Sequence, residues 1–426
     1  MKYTLDSFDS LRGDIDIPSD KSLSHRAVMF NSIASGEAKI SNFLMGDDCL
    51  STIDVLSKLG VEIKVENNNV YTFGKGLNSL KEPKDKLYVG NSGTTIRLMS
   101  GVLAGRKFKS ILDGDSSIRK RPMKRIIDPL SMMGANISAN NNNDNAPIMF
   151  NGGNIIGLDY DLPVASAQLK SALILAGLRS ENGVTIREKA ISRDHTERLL
   201  SGMGANITKN NLEIKVSSSE LFAKDIVIPG DISSASFWLV AGAIHNNADI
   251  YIRNVGINET RSGIISVLKR MGANMTFYNE VDYSGEPACD MNIKTSNLIG
   301  TTISGAEIPL LIDEIPIIAL AAVFAEGETK IIDAKELRYK ESDRISLTVN
   351  WMKKAGAEIE ELDDGMIITG TGNLNGGIFS SHGDHRLAMT LGIASLISNN
   401  SITIDNAEAS NVSYPTFWDT LKKIGE

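Results

Sequence analysis

Cysteine is nearly missing from this chain: Cys49 and Cys289 are the only two in 426 residues. They stand far apart with no partner at a metal-ligand spacing, which excludes a disulfide framework and a zinc knuckle and fits a reducing compartment. No uncharged apolar run is long enough to span a bilayer, and the opening Met1-Lys2-Tyr3-Thr4-Leu5-Asp6-Ser7 has no apolar core of signal-peptide type. A cytoplasmic protein with no membrane partner is therefore expected. Positive charge is not in excess either. Acidic residues outnumber basic ones 52 to 44, for a net charge of -8, which argues against nucleic acid as a partner and makes any anion binding local. What the chain does have is length: 426 residues, 42% of them hydrophobic, exceed a single core and predict two or three domains.

One phrase recurs along the chain: an apolar helical pattern, a glycine, a small residue and an alternating strand-like run. The copies are Lys58-Leu59-Gly60-Val61-Glu62-Ile63, Met133-Gly134-Ala135-Asn136-Ile137, Met203-Gly204-Ala205-Asn206-Ile207, Met271-Gly272-Ala273-Asn274-Met275 and Ala355-Gly356-Ala357-Glu358-Ile359, with a truncated sixth at Lys423-Ile424-Gly425. The glycines are 74, 70, 68, 84 and 69 residues apart, long enough for two helices and several strands each. Six copies of one α/β unit are predicted, each glycine closing a helix at positive φ. A second echo, Ile15-Asp16-Ile17-Pro18 against Ile226-Val227-Ile228-Pro229, suggests two crossings between domains. Residues 20–228 would then hold three repeats, and residues 1–19 with 229–426 the other three. The alternative, that Pro-x-Asp is only how this repeat opens a helix, stays open. Asn140 to Asn145, with five Asn in six residues, reads as a surface hairpin tip.

Several segments could carry chemistry. In Pro18-Ser19-Asp20-Lys21-Ser22-Leu23-Ser24-His25-Arg26, Asp20 or Ser19 caps a helix whose first turn holds Lys21 and Ser22, with Arg26 one turn on, as a phosphate or carboxylate site requires. Alone, it would more often be a capped helix with solvated cations. Gly90-Asn91-Ser92-Gly93-Thr94-Thr95-Ile96-Arg97 is a small turn that lets backbone approach a ligand, without the Gly-Lys-Ser/Thr of a P-loop. Asp113 to Arg125 packs five basic residues into seven positions. Most are expected on a solvated face, but Pro122 stiffens the point where Arg121 projects. Ser166 and Gln168 are expected on one extended turn, aimed together at a ligand. Arg193-Asp194-His195-Thr196-Glu197 could be an ordinary cap with an ion pair. Asp313 and Glu314 interrupt an apolar stretch, where unpaired burial would raise a carboxylate towards general-base range. Lys340, Glu341 and Arg344 are spaced to share one helical face, and Gly383-Asp384-His385-Arg386 opens a helix. His382 and His385 lack a zinc-type pattern around them, so a cap is preferred to a metal site.

Taken in order, these segments resemble the 5-enolpyruvylshikimate-3-phosphate synthase (3-phosphoshikimate 1-carboxyvinyltransferase) family across essentially the whole chain. Ser166-Ala167-Gln168-Leu169-Lys170, Arg193-Asp194-His195-Thr196-Glu197 and Asn258-Glu259-Thr260-Arg261 resemble its class II bacterial subgroup. The resemblance implies an α/β (α+β) fold of two domains, each of three βαβαββ repeats in an inside-out barrel, with the ligand site in the interdomain cleft. It implies transfer of the enolpyruvyl group of phosphoenolpyruvate to the 5-hydroxyl of shikimate 3-phosphate by addition then elimination, in aromatic amino acid biosynthesis, with no metal or organic cofactor, by a monomer that glyphosate inhibits. By position, Lys21, Ser22, Arg26, Ser166, Gln168, Arg193, Asp313 and Lys340 would hold shikimate 3-phosphate. Lys21, Gly93, Arg121, Gln168, Arg344 and Arg386 would hold phosphoenolpyruvate. Asp313 would accept the hydroxyl proton, while Glu341 and Lys21 are candidates for protonating the methylene carbon. The sequence departs from the family's usual pattern at Ala167, Glu336 and Val412, the last in place of a cation near phosphoenolpyruvate.

Two rival readings differ from this pattern. The sister transferase acting on UDP-N-acetylglucosamine carries Lys-Asn where this chain has Lys21-Ser22, and a loop Cys for which Asp115 to Arg121 has no counterpart. A non-catalytic sensor of phosphorylated ligands would gain nothing from Asp313 and Glu341.

Overall fold

The structure is a computed structural model in which residues 1–425 are described. Its contacts divide the chain into two units: Ser19–Ile228 with the hairpin tip Tyr283–Glu286, and Met1–Pro18 with Pro229–Asp282 and the chain from Pro287 onward. Each has its own apolar core.

Five of the six repeats build the same four-stranded sheet, two parallel strands followed by an antiparallel hairpin. In the second repeat the order is Leu87–Tyr88, Lys109–Asp113, Asn145–Asn151, Ile137–Ala139, and in the third Leu158–Asp161, Val184–Arg187, Glu213–Val216, Ile207–Asn210. The first and fourth repeats obtain their leading strands from elsewhere in the chain. Ile226–Val227 lies parallel to Ser35–Ser41, and Leu11–Asp16 lies parallel to Ala248–Gly256. The chain thus passes from one unit to the other just after Ile17-Pro18 and again at Ile228-Pro229. The sixth repeat pairs Gly377–Ser380 with Ile402–Asp405 and is closed by the N-terminal strand Lys2–Leu5.

The marker glycines behave as their sequence context requires in five cases. Gly60, Gly134, Gly204, Gly272 and Gly356 have φ of 91, 96, 96, 92 and 88°. Each follows a helix end, and in each the next residue's N–H reaches back to a carbonyl in the last turn, as from Val61 to Leu56 and from Ala135 to Leu130. The small or branched residue after glycine is the one that makes this return bond. Gly425 departs from the expectation: its φ is -94°. In the hairpin Asn140 to Asn145, Asn141 and Asn142 adopt left-handed backbone, which Asn tolerates better than most residues.

The first helix of each repeat is the buried one. Ile232–Ile244 and Ile315–Val323 are buried along their whole length, as is His385–Ser395. Lys21–Ile33 and Ala167–Gly177 are buried beyond their first turns, as is Gly93–Leu103 apart from Arg97. Gly101 allows the closest approach, since a Cβ there would run into the Ala172 carbonyl of the neighbouring helix. Sheets therefore lie outside and helices inside. In the Ser19–Ile228 unit the partly exposed residues of the inner helices, such as Lys21, Ser22, Thr94 and Gln168, lie towards the N-terminal ends, where unpaired backbone N–H groups and the helix dipole favour anions. Among the described residues no helix is long and apolar enough to cross a membrane.

Candidate active site

In the unit built on Ser19–Ile228, Asp20 caps the first inner helix, accepting from the Leu23 N–H at 2.7 Å, so Lys21 and Ser22 occupy its first turn. Lys21 Nζ lies 3.2 Å from Asp48. Arg26, only 3% exposed, spreads its guanidinium over three acceptors: the Ser22 carbonyl at 3.0 Å, the Thr196 hydroxyl at 2.8 Å and the Ser171 hydroxyl at 3.1 Å. Burial lowers its pKa to about 10, with Glu197 acting in the opposite sense. It remains a cation near neutral pH.

The second inner helix begins at Gly93, with Ser92 as its cap accepting from the Thr95 N–H at 3.1 Å. A Cβ on Gly93 would come within 2.8 Å of Arg121 Nη1 and 3.2 Å of Arg97 Nη1. Of the basic run Arg119 to Arg125, Arg121 alone is buried, donating to Asn91 at 2.5 Å, while Arg119 pairs with Asp113. Gln168 accepts from Arg97 at 2.6 Å and donates to Thr94 at 3.1 Å, joining the starts of the second and third inner helices.

The expected extended turn over Ser166 and Gln168 is corrected. Ser166 is the helix cap, accepting from the Leu169 N–H, and Gln168 is already helical. Capping wins because a Ser oxygen serves the orphan N–H groups better there than a strand would. Arg193 is half-buried in the loop before the helix His195–Gly202, and Asp194, at the cap position without a side-chain capping bond, pairs with Arg198 at 2.8 Å.

In the other unit, Asp313 Oδ1 lies 3.2 Å from both Lys340 Nζ and Arg344 Nη1. Arg344, 1% exposed, also meets Glu341 at 2.7 Å and Asp384 at 2.9 Å. Burial alone would lower the Arg344 pKa, but these three carboxylates raise it above the ordinary value. For Asp384 burial pushes up and Arg344 pulls down, with a net lowering. The shared helical face expected for Lys340, Glu341 and Arg344 is not what joins them. Lys340 and Glu341 precede the helix Arg344–Lys354, which Asp343 caps, and the three converge by reaching Asp313 or one another across a bend.

Glu314 is fully buried yet not isolated. It accepts from Arg261 at 2.9 Å and from the Ser233 hydroxyl, and lies 3.9 Å from Arg386, which donates to the Ser233 carbonyl at 3.2 Å. The burial read from the apolar stretch is thus compensated by cations. Asp384 caps the third inner helix, accepting from the Arg386 N–H at 2.9 Å. Glu336 and Val412 are half-buried in short 3-10 segments.

Arg97, Arg261 and the buried trio Lys170, Glu188 and Glu197 were not expected in these roles. Arg97 stands four residues after Gly93 and therefore on its helical face, a signal available beforehand. The others become visible only in three dimensions.

The chain is similar to proteins of known identity. The sequence profile of EPSP synthase (3-phosphoshikimate 1-carboxyvinyltransferase) matches residues 5–421. The 3-phosphoshikimate 1-carboxyvinyltransferase of Bacillus cereus (strain G9842) is 52% identical over 417 residues, 98% of this chain and 97% of its own. That of Bacillus subtilis (strain 168) is 50% identical over 423 residues, 99% of each. A solved structure of EPSP synthase from Acinetobacter baumannii superposes with a TM-score of 0.89 at 41% identity, covering 100% of this chain and 98% of that one. With half its residues shared over its full length and the same fold, this chain belongs to the EPSP synthase family.

Proposed function

We propose that the polar ends of the inner helices bind and activate the two substrates of this family's reaction. The enzyme transfers the enolpyruvyl group of phosphoenolpyruvate to the 5-hydroxyl of shikimate 3-phosphate and releases phosphate. Lys21, Ser22, Arg26, Ser166, Gln168, Arg193, Asp313 and Lys340 hold shikimate 3-phosphate. Lys21, Gly93, Arg121, Gln168, Arg344 and Arg386 hold phosphoenolpyruvate. In the addition step Asp313 takes the proton from the attacking hydroxyl, and Glu341 or Lys21 delivers one to the methylene carbon. The elimination step returns a proton from that methyl group and expels phosphate, restoring the double bond. The observation that supports these roles best is Arg344, a buried cation whose guanidinium meets both Asp313 and Glu341. A base and an acid set around one fixed positive charge suit a reaction that moves two protons beside an anion.

In this reading residues 20–228 anchor shikimate 3-phosphate, and residues 1–19 with 229–426 supply the catalytic carboxylates. The class II assignment rests on three motifs whose members pair with other buried residues, Lys170 with Glu197 and Arg261 with Glu314. A cytoplasmic monomer fits two buried thiols and the net negative charge. Phosphate release measured with both substrates, and with UDP-N-acetylglucosamine replacing shikimate 3-phosphate, tests the substrate assignment. Release only with shikimate 3-phosphate is expected, and release with the nucleotide sugar would overturn it.

A further inference from the structure

Two consecutive residue pairs run side by side in the Ser19–Ile228 unit. Lys170-Ser171 lies on the third inner helix and Thr196-Glu197 on the first turn of His195–Gly202. Lys170 Nζ stands 2.8 Å from Glu197, and the Ser171 and Thr196 hydroxyls are 2.6 Å apart. Lys170 is also 3.0 Å from Glu188 and donates to the Ser192 carbonyl at 3.1 Å. Lys170 and Glu188 are wholly buried and Glu197 nearly so, which is a costly arrangement unless geometry repays it.

The consequence falls on Arg26. Its Nε donates to Thr196 and its Nη2 to Ser171, so the joined hydroxyls form a two-point rest for one edge of the guanidinium, and the Ser22 carbonyl takes Nη1. A guanidinium has five N–H groups. Three are spent on these contacts, which leaves one on each terminal nitrogen. Those two form the parallel fork that grips a phosphate or carboxylate in bidentate fashion. Lys170 also matters for charge. Held by Lys170, the Glu197 carboxylate makes no ion pair with the nearby Arg26 and leaves that fork to an outside anion.

We infer that Ser171 and Thr196 are positioning residues that aim the Arg26 guanidinium at shikimate 3-phosphate, with Lys170 withholding Glu197 from it. This rests on the reading of Arg26 as a ligand of that substrate. Neither hydroxyl needs to touch substrate, so their removal acts on one substrate and not the other.

The test is steady-state kinetics of the full enzyme, with melting temperatures recorded in parallel. Thr196→Val and Ser171→Ala should each raise the KM for shikimate 3-phosphate about tenfold, as expected for a lost hydrogen bond to a charged group, with the KM for phosphoenolpyruvate within about twofold of wild type. Thr196→Ser, which keeps the hydroxyl, should restore most of the loss. In an Arg26→Ala background, Thr196→Val should add less than about twofold. If Arg26→Ala raises that KM but the hydroxyl variants do not, or raise both KM values alike, the positioning role is overturned and the ligand role of Arg26 stands. If Arg26→Ala leaves it unchanged, both are overturned. Should Thr196→Val not fold, Ser171→Ala decides the matter by the same readings.

Discussion

Gly93 shows how little space separates a working site from a blocked one. A methyl group there would press on the Arg121 guanidinium at 2.8 Å, and that guanidinium is buried and tied to Asn91. Gly93→Ala is therefore expected to raise the KM for phosphoenolpyruvate several-fold, on the order of 1 kcal/mol of lost positioning, and to raise the inhibition constant of glyphosate further. Equal inhibition constants for the two proteins would remove the basis for this. At Asp313, substitution by Ala should lower kcat at least about 100-fold while shikimate 3-phosphate still binds by calorimetry, because the proton acceptor is lost and the phosphate ligands remain. Near-normal turnover would exclude Asp313 as the base. His25 yields a prediction on stability. Burial lowers its pKa to about 3 from 6.5, and its Nδ1 lies 2.7 Å from the Thr52 hydroxyl. Between those values the unfolded chain binds a proton that the folded chain refuses. The stability tied to this group is thus present above about pH 6.5 and declines as pH falls towards 3, by at most about 1.4 kcal/mol per pH unit. Urea denaturation of His25→Gln between pH 7 and 5 should show a shallower decline than the wild type.

At the scale of the element, the repeat is a helix that must stop and a strand that must start within three residues. Gly60, Gly134, Gly204, Gly272 and Gly356 do this by going left-handed while the next N–H bonds back into the helix. Gly134→Ala should cost about 1 kcal/mol, since its φ is 96° and the nearest obstacle to a Cβ, the Asn154 carbonyl, is no closer than 3.3 Å. Denaturation that showed no loss would mean that the helix end can relax. The glycines and the five hairpins after them were legible from local pattern because a helix end is a local event. Lys340, Glu341 and Arg344 converge without sharing the helical face that their spacing predicts. Spacing of three and four is necessary for such a face but says nothing of where the helix begins, and the Asp343 cap sets its start at Arg344.

For the whole molecule, connectivity is the main surprise in stability terms. Residues 19–228 carry every strand of their three sheets, including Ile226–Val227, whereas residues 229–426 lack Leu11–Asp16 and Lys2–Leu5. Those two strands supply Leu5, Leu11 and Ile15, all buried in the second core. Expressed alone, residues 19–228 should unfold cooperatively in urea with near-native far-ultraviolet circular dichroism, although they lose contacts to the hairpin tip such as the His195–Glu286 pair and the bond from Arg198 to the Gly285 carbonyl. Residues 229–426 should fail to give a cooperative transition. The reverse result would show that the N-terminal strands are dispensable.

By itself the sequence determined the repeated helix-glycine-strand phrase, a cap at Ser19 or Asp20, the helix opening at Gly383-Asp384-His385-Arg386, and the identity of the cations that resemble a known family's, because caps, turns and motifs are set by residues within a few positions of one another. Only the tertiary structure decided which charges meet. Arg26 rests on Ser171 and Thr196, Glu314 on Arg261, and Asp313 on Lys340 and Arg344, across 145 and 170, 53, and 27 and 31 residues of chain. A buried charge must find its partner in space, and nothing in its immediate sequence says where that partner will be.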